Sequence, residues 1–354
     1  MKYNYKWNLR DAIFTKDKGK VFSCFACGGG STMGYKLAGF DVIGCNEIDP
    51  KMMEAYRINH NPKYSYLEPI QTFKVRNDLP EELYELDILD GSPPCSSFSM
   101  AGNREKDWGK EKKFREGQAK QILDDLFFDF IDLAKKLQPK VVVAENVKGL
   151  LLGEAKSYVR RIYKEFEDAG YYLQHFLLDS SKMGVPQRRE RVFFIALRRD
   201  LAAKFLYQMD MFTVIPKIQI EFNGSPILYK EIKTKQSGKR LTPETELYWN
   251  NRQYGDNDFS EIIMRMTGKQ KQWNRKFIYD DMTPLTITAG GYLPVRYDEP
   301  FEISNDEIKM IGTYPMDYDV AKNKIEYLVG MSVPPLMTAG IADEIYNQWI
   351  SKLY

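Results

Sequence analysis

Histidine is almost missing from this chain, whose 354 residues include only His60 and His175. Neither lies in a recognisable motif, which disfavours both a Cys/His zinc site and a Ser-His-Asp hydrolase. Cysteine is scarce as well. Cys24, Cys27, Cys45 and Cys95 are too few and too clustered to staple so long a chain, so a disulfide framework is excluded. No run approaches the roughly eighteen consecutive apolar residues of a membrane span, and the polar opening MKYNYKWNLRDAIFTKDKGK lacks the apolar core of a secretory signal. The expected setting is cytoplasmic, with no membrane. Charge excess is also absent: 51 Lys and Arg against 49 Asp and Glu leave +2, so a nucleic-acid partner would have to be met by local charge.

What is present suits an ordinary folded protein. Apolar residues at 43% and charged residues at 28% exclude a disordered or collagenous chain, and at roughly 100–200 residues per domain the length allows about two units. Short apolar runs at 21–25, 42–44, 86–90, 141–144 and 192–196 read as strands. They alternate with helical patterns, one opening at Ser31-Thr32 as cap and running to Ala38, one at 51–60 after Pro50, and one at 122–137. Alternation of this kind predicts an α/β fold, a parallel sheet with helices on both faces. Beyond residue 200 the pattern turns irregular and polar. Helical spacing returns from about Asn305, and Ile341, Ile345 and Trp349 mark a closing helix. The expected divisions are 1–199, 200–290 and 291–354.

Four motifs carry chemistry. Cys27-Gly28-Gly29-Gly30 follows the first strand and opens a helix, a turn that suits either a ligand or plain tight packing. Some twenty residues on, Glu47 ends the second strand, where a carboxylate can grip a ribose; together they favour a nucleoside cofactor. Cys24 and Cys27 lie within the strand and its turn, which favours packing over a redox pair. Asp90-Gly91-Ser92-Pro93-Pro94-Cys95 leaves the C-terminal end of a strand, the edge where open parallel sheets bind ligands. Its two prolines aim the cysteine as a nucleophile would be aimed, although most free cysteines are simply buried. Glu145-Asn146-Val147 puts a carboxyl directly after four buried apolar residues, a costly place unless the group is used or caps a turn. Gln187-Arg188-Arg189-Glu190-Arg191 precedes another strand and offers guanidinium forks for phosphates or base carbonyls, or a merely solvated surface.

Together these motifs resemble the DNA (cytosine-5) methyltransferases that use S-adenosylmethionine, in the family's order and over nearly the whole chain. The resemblance implies a Rossmann-like methyltransferase domain with a mostly parallel sheet, plus a smaller irregular target-recognition domain. It implies that Phe25, Ala26, Gly28 and Gly30 form the cofactor turn, that Glu47 binds the ribose, that Ile48 stacks on the adenine, and that Pro94 belongs to the same site. Pro94-Cys95 is similar to the family's nucleophile motif, Glu145-Asn146-Val147 to its Glu-Asn-Val, and Gln187, Arg189 and Arg191 to its Gln-x-Arg-x-Arg. Pro284-Leu285-Thr286-Ile287-Thr288 resembles the segment leaving the recognition region, and the stretch from Gly330 to Pro335 resembles the last motif. The chain departs from the pattern with Cys27 at the first glycine, Glu68-Pro69-Ile70 for Gly-Asp-Ile, and Gly330-Met331-Ser332-Val333 for Gly-Asn-x-Val.

The implied reaction is methyl transfer to C5 of a specific cytosine in flipped-out duplex DNA. Cys95 adds to C6, Glu145 serves N3, Arg191 holds O2 and Arg189 organises the site. Ser99 and Arg104 belong to a basic loop at 101–121 that resembles the family's DNA-closing loop. The segment 265–276 has five basic residues and no acid, so Lys269, Lys271, Arg275 and Lys276, with Gln187, are the expected DNA contacts. A monomer, with a cognate restriction endonuclease as an implied companion, completes the reading. The alternatives are the same chemistry on tRNA, which the roughly ninety-residue variable region argues against, and a non-catalytic DNA-binding homologue. A dehydrogenase would leave Pro-Pro-Cys unexplained, and an amino-methylating enzyme would want an aromatic where Cys95 stands.

Overall fold

A computed structural model describes residues 2–94, 111–112, 121–122, 125–153, 155–210 and 213–354. The first half winds as β1 (Lys20–Cys24), α1 (Gly30–Ala38), β2 (Asp41–Glu47), α2 (Pro50–His60), β3 (Tyr64–Leu67), β4 (Ile88–Gly91), α3 (Leu126–Leu137), β5 (Val141–Val147), α4 (Ala155–Asp168), β6 (Tyr171–Asp179) and β7 (Glu190–Arg198). These seven strands form one sheet in the order β3-β2-β1-β4-β5-β7-β6. All run parallel except β7, which is antiparallel to both neighbours.

Side-chain alternation splits the sheet into two cores. Phe22, Leu89, Val142 and Phe194 face α3 and α4, packing on Phe127, Phe130 and Ile162. Val21, Ile88, Val143 and Ile195 face α1 and the C-terminal helix α9 (Pro335–Gln348). Ile341, Ile345 and Trp349 are buried in that second core, as their spacing predicts. The helix α1 can approach this segment because it presents glycines. A Cβ on Gly30 would stand 2.4 Å from the Val333 carbonyl, and one on Gly34 would stand 2.4 Å from that of Pro335. The expected cap is not used: Gly29, at φ 81, is the N-cap, and Ser31 and Thr32 lie within the helix. The Thr32 hydroxyl instead meets the Tyr56 hydroxyl of α2 at 2.8 Å.

The irregular region forms α5 (Pro243–Asn250), α6 (Phe259–Thr267), β8 (Phe277–Ile278) and β9 (Val295–Arg296) around Leu241, Trp249, Phe259, Ile262 and Val295. Its own core therefore spans 241–297. Ile218 and Ile220 pack on the main sheet instead, and Ile227, Tyr229 and Ile232 pack with the return segment. That segment contains α7 (Asn305–Ile311) and α8 (Ile325–Met331). Arg296 fastens the region to it, with Nη2 2.7 Å from Glu307 Oε1 and both side chains fully buried. The stretch Ile325–Lys352 is apolar enough by composition to span a membrane, but it breaks between α8 and α9 and is 72% buried inside the protein.

Candidate active site

The C-terminal ends of β1 to β4 meet in one crevice. After β1 the chain turns through Phe25 at φ 52 and Cys27 at φ 47, both in the left-handed region that disfavours side chains. Glu47, at the end of β2, holds this turn. Its carboxylate accepts the N–H of Cys27 at 2.7 Å, of Ile48 at 2.8 Å and of Asp49 at 2.9 Å. Burial pushes this carboxyl above the usual range, and the three backbone donors pull it back. A carboxylate offers about four acceptor sites, so one remains for an incoming hydroxyl. The Cys27 thiol rests 3.5 Å from Met52 Sδ. Burial, reinforced by Glu47, pushes it up to about 12, which keeps it protonated and supports packing over redox chemistry.

The crevice beside Glu47 has apolar walls from Phe25, Ile48, Met52, Pro69, Pro94 and Met331, with carboxylates from Glu47, Asp49 and Glu68. This donor set fits S-adenosylmethionine: flat apolar walls for an adenine, an anchored acid for a ribose diol, and carboxylates compatible with a sulfonium. In the stretch that matches the family's Gly-Asp-Ile, Pro69 takes the Asp position and Glu68 is the adjacent carboxylate. The Asn46 amide donates to the Glu68 carbonyl at 2.8 Å and so fixes that backbone. Ala26, Gly28 and Gly30 are not among the residues that line this crevice. They lie behind the turn, where a Cβ on Gly28 would come within 2.5 Å of Leu328 and where the Tyr318 hydroxyl donates to the Gly28 carbonyl. Gly28 and Gly30 thus admit the return segment.

At its far end the crevice reaches Ser92 and Pro94. Cys95, Ser99 and Arg104 lie outside the described residues. The turn leading to them is braced by Asn146, whose amide donates to the Pro93 carbonyl at 3.1 Å and whose Oδ1 accepts the Val147 N–H at 2.9 Å. The sequence showed Asn146 only as part of a motif, because a contact 53 residues away in the chain has no local signature. Strand register then assembles the remaining groups. Val147 of β5 pairs with Arg191 of β7, so Glu145, two residues earlier, shares their face. Arg191 Nε lies 2.9 Å from Glu145 Oε1. Arg189 makes its hydrogen bonds elsewhere. It is buried, donating to the carbonyls of Ile287 at 3.3 Å and Gly330 at 3.0 Å. Burial, with Arg191 adding repulsion, pushes its guanidinium down to about 9. Arg189 thus ties the sheet to the return segment.

Two expected DNA contacts are corrected by burial. Gln187 is completely buried, and its amide donates to the Ile311 carbonyl at 3.1 Å. Arg275 is buried against Glu302, which takes up its charge. Lys276 pairs with Asp258 at 3.1 Å while staying 43% exposed. Lys269 and Lys271 are exposed on the loop after α6, which is held from beneath by the Trp273 N–H donating to Ser260 Oγ at 2.8 Å. Arg188, exposed, shares a second cleft with Asn274, Lys276 and Thr288.

A family model of C-5 cytosine-specific DNA methylases matches residues 19–347. The chain is 38% identical over 182 residues to the Type II methyltransferase M.FnuDI of Fusobacterium nucleatum, an alignment covering 51% of this chain and 48% of that protein. It is 31% identical over 277 residues to the Type II methyltransferase M.NgoPII of Neisseria gonorrhoeae, covering 77% of this chain and 72% of the relative. The chain thus spans about half the length of M.FnuDI and more of M.NgoPII. Among solved structures, Spodoptera frugiperda DNMT2 aligns with a TM-score of 0.61 at 18% identity, covering 91% of this chain and 98% of that one. The S. pombe Dnmt2 methyltransferase aligns at 0.57 and 14%, covering 92% and 98%; both are likenesses of fold. With the model matched from before β1 to the end of α9, the chain belongs to the C-5 cytosine-specific DNA methylases, a family whose methyl donor is S-adenosylmethionine.

Proposed function

We propose that this protein methylates C5 of a cytosine within a specific sequence of duplex DNA, through a covalent Cys95 adduct on a flipped-out base. The observation that carries the proposal is the Glu145–Arg191 pair placed beside the Pro93-Pro94 turn that leads to Cys95, next to the Glu47 crevice. Held by Phe25, Glu47, Ile48 and Pro94, S-adenosylmethionine supplies the methyl group. Cytosine C5 is a poor nucleophile by itself. Addition of the Cys95 thiolate to C6 turns C4–C5 into an enamine whose C5 takes the methyl group, the S–CH3 bond breaking to release S-adenosylhomocysteine, and loss of the C5 proton with expulsion of Cys95 then restores the ring. Glu145 hydrogen-bonds N3 and supplies the proton that makes C6 electrophilic, while Arg191 holds O2 and stabilises the charge that develops there. None of these groups can reach C6 in a stacked duplex, which is why the base must leave it.

The recognition unit, with its own core and exposed Lys269 and Lys271, supports duplex DNA over tRNA. Bisulfite sequencing of DNA from cells expressing the protein, beside methylation assays on duplex DNA and on tRNA, tests the reading. Methylation of tRNA alone would overturn it. Lys269→Gln combined with Lys271→Gln is expected to make the dependence of log Kd on log salt shallower by about 2, since each lysine releases about one counterion. Arg275→Gln leaves the slope unchanged, because Glu302 already uses that charge; fluorescence titrations across a salt series distinguish the two. Glu47→Ala is expected to weaken S-adenosylmethionine binding by roughly ten- to hundredfold, through loss of a charge-assisted hydrogen bond and of the anchor for the turn. DNA affinity is kept. Calorimetry showing parental cofactor affinity would remove Glu47 from the site.

A further inference from the structure

Asp90 is the penultimate residue of β4, two residues before Ser92, and is only 4% exposed, next to the apolar Ile88 and Leu89. It lies in register with Ser23 on β1 and Val143 on β5. The Ser23 hydroxyl donates to Oδ2 at 2.8 Å, and the Tyr35 hydroxyl of α1 donates to Oδ1 at 3.2 Å. Ser31, at the start of α1, contributes a third hydroxyl. Among the described residues, the titratable groups facing Asp90 are Cys24 from β1, Tyr35 from α1, Tyr56 from α2 and Glu145 from β5, of which Glu145 is the one carboxyl. A buried carboxyl surrounded by hydroxyls is costly where an apolar side chain would fit, unless its charge is used.

Resting on the methyltransferase reading above, we propose that Asp90 is a positioning residue whose ionised form clamps β1 and α1, the elements flanking the cofactor turn, to the root of the nucleophile turn. An ionised carboxylate is purely an acceptor and takes all three hydroxyls; a protonated one turns one oxygen into a donor, and a hydroxyl must let go. The turn that follows Asp90 is held on its other side by Asn146 through the Pro93 carbonyl. Loosening one of two supports displaces the group beyond it by fractions of an ångström, which slows a reaction without preventing binding. Burial pushes the Asp90 carboxyl up to about 7, so the clamp changes state in the physiological range.

The test is the pH dependence of single-turnover methyl transfer at saturating cofactor and duplex DNA, for the parent, Asp90→Asn and Ser23→Ala. One ionisation near pH 7 makes the parent's rate rise about tenfold between pH 6 and 8. Asp90→Asn should lose that limb with KM values for cofactor and DNA unchanged. Ser23→Ala, which keeps the carboxyl but removes one donor to its ionised form, should move the limb to higher pH. A parental pH profile in Asp90→Asn, or a uniform loss in both variants with no change of profile, would overturn the proposal. A parent that transfers no methyl group would instead overturn the functional reading, and melting curves would then decide the clamp. Asp90 is raised in the folded state, so its contribution to stability is present below the unfolded value of about 3.9 and is lost as pH rises through about 7. Asp90→Asn should therefore raise Tm more at pH 8 than at pH 5. A Tm difference independent of pH overturns the ionisable clamp.

Discussion

Cys95→Ser should abolish cytosine methylation by several orders of magnitude while leaving duplex binding intact. A serine hydroxyl is almost entirely protonated at neutral pH and is a much weaker nucleophile than a thiolate, so addition to C6 fails although the base still enters the site. The sharper form of the experiment uses a duplex with 5-fluorocytosine at the target. After methylation the fluorine cannot leave C5 as a proton does, elimination stops, and the parent protein should stay attached to DNA through denaturing electrophoresis. Trapping should require S-adenosylmethionine and disappear in Cys95→Ser. Methylation by Cys95→Ser near the parent's rate would refute the covalent route and, with it, the assignment of the nucleophile.

Glu145→Gln should lower the single-turnover rate by about 10² to 10⁴-fold, the usual worth of a positioned general acid. The amide can still hydrogen-bond N3 but cannot deliver a proton to it. Because Glu145 lies 2.9 Å from Arg191, the substitution also frees that guanidinium from its partner. DNA affinity in gel-shift assays should therefore hold or rise slightly while chemistry slows. The comparison with Glu145→Asp, which keeps the acid on a shorter arm, separates loss of the proton from loss of geometry. Equal rates for Glu145→Gln and the parent would leave N3 without its proposed partner.

The positions of Glu47 and Glu145 could be read in the chain because each follows a run of buried strand residues at a sheet edge. Local alternation announces a strand, and an acid where the alternation stops is conspicuous. The edge strand β6 (Tyr171–Asp179) carries no clear local signal: polar and apolar residues mix along it, with His175 and Leu177 among the exposed ones. The helix α3 begins at Leu126, later than the apolar spacing from Ile122 suggests. The sequence presents Gln187 and Arg275 as DNA contacts because polar side chains in basic stretches are ordinarily exposed. Both are instead used inside, by a carbonyl and by Glu302, and no periodicity reveals such a partner.

The sequence by itself determined the α/β alternation, the order of the motifs and the identity of the chemical groups, because these depend on local side-chain pattern and on which residues end strands. Tertiary structure alone decided their assignments. Register between β5 and β7 brings Glu145 to Arg191, the return segment captures Arg189 and explains Gly28 and Gly30, and a serine and a tyrosine from two other elements converge on Asp90. Those contacts join residues far apart in the chain, and their existence depends on how faces pack, a property that no local stretch of sequence contains.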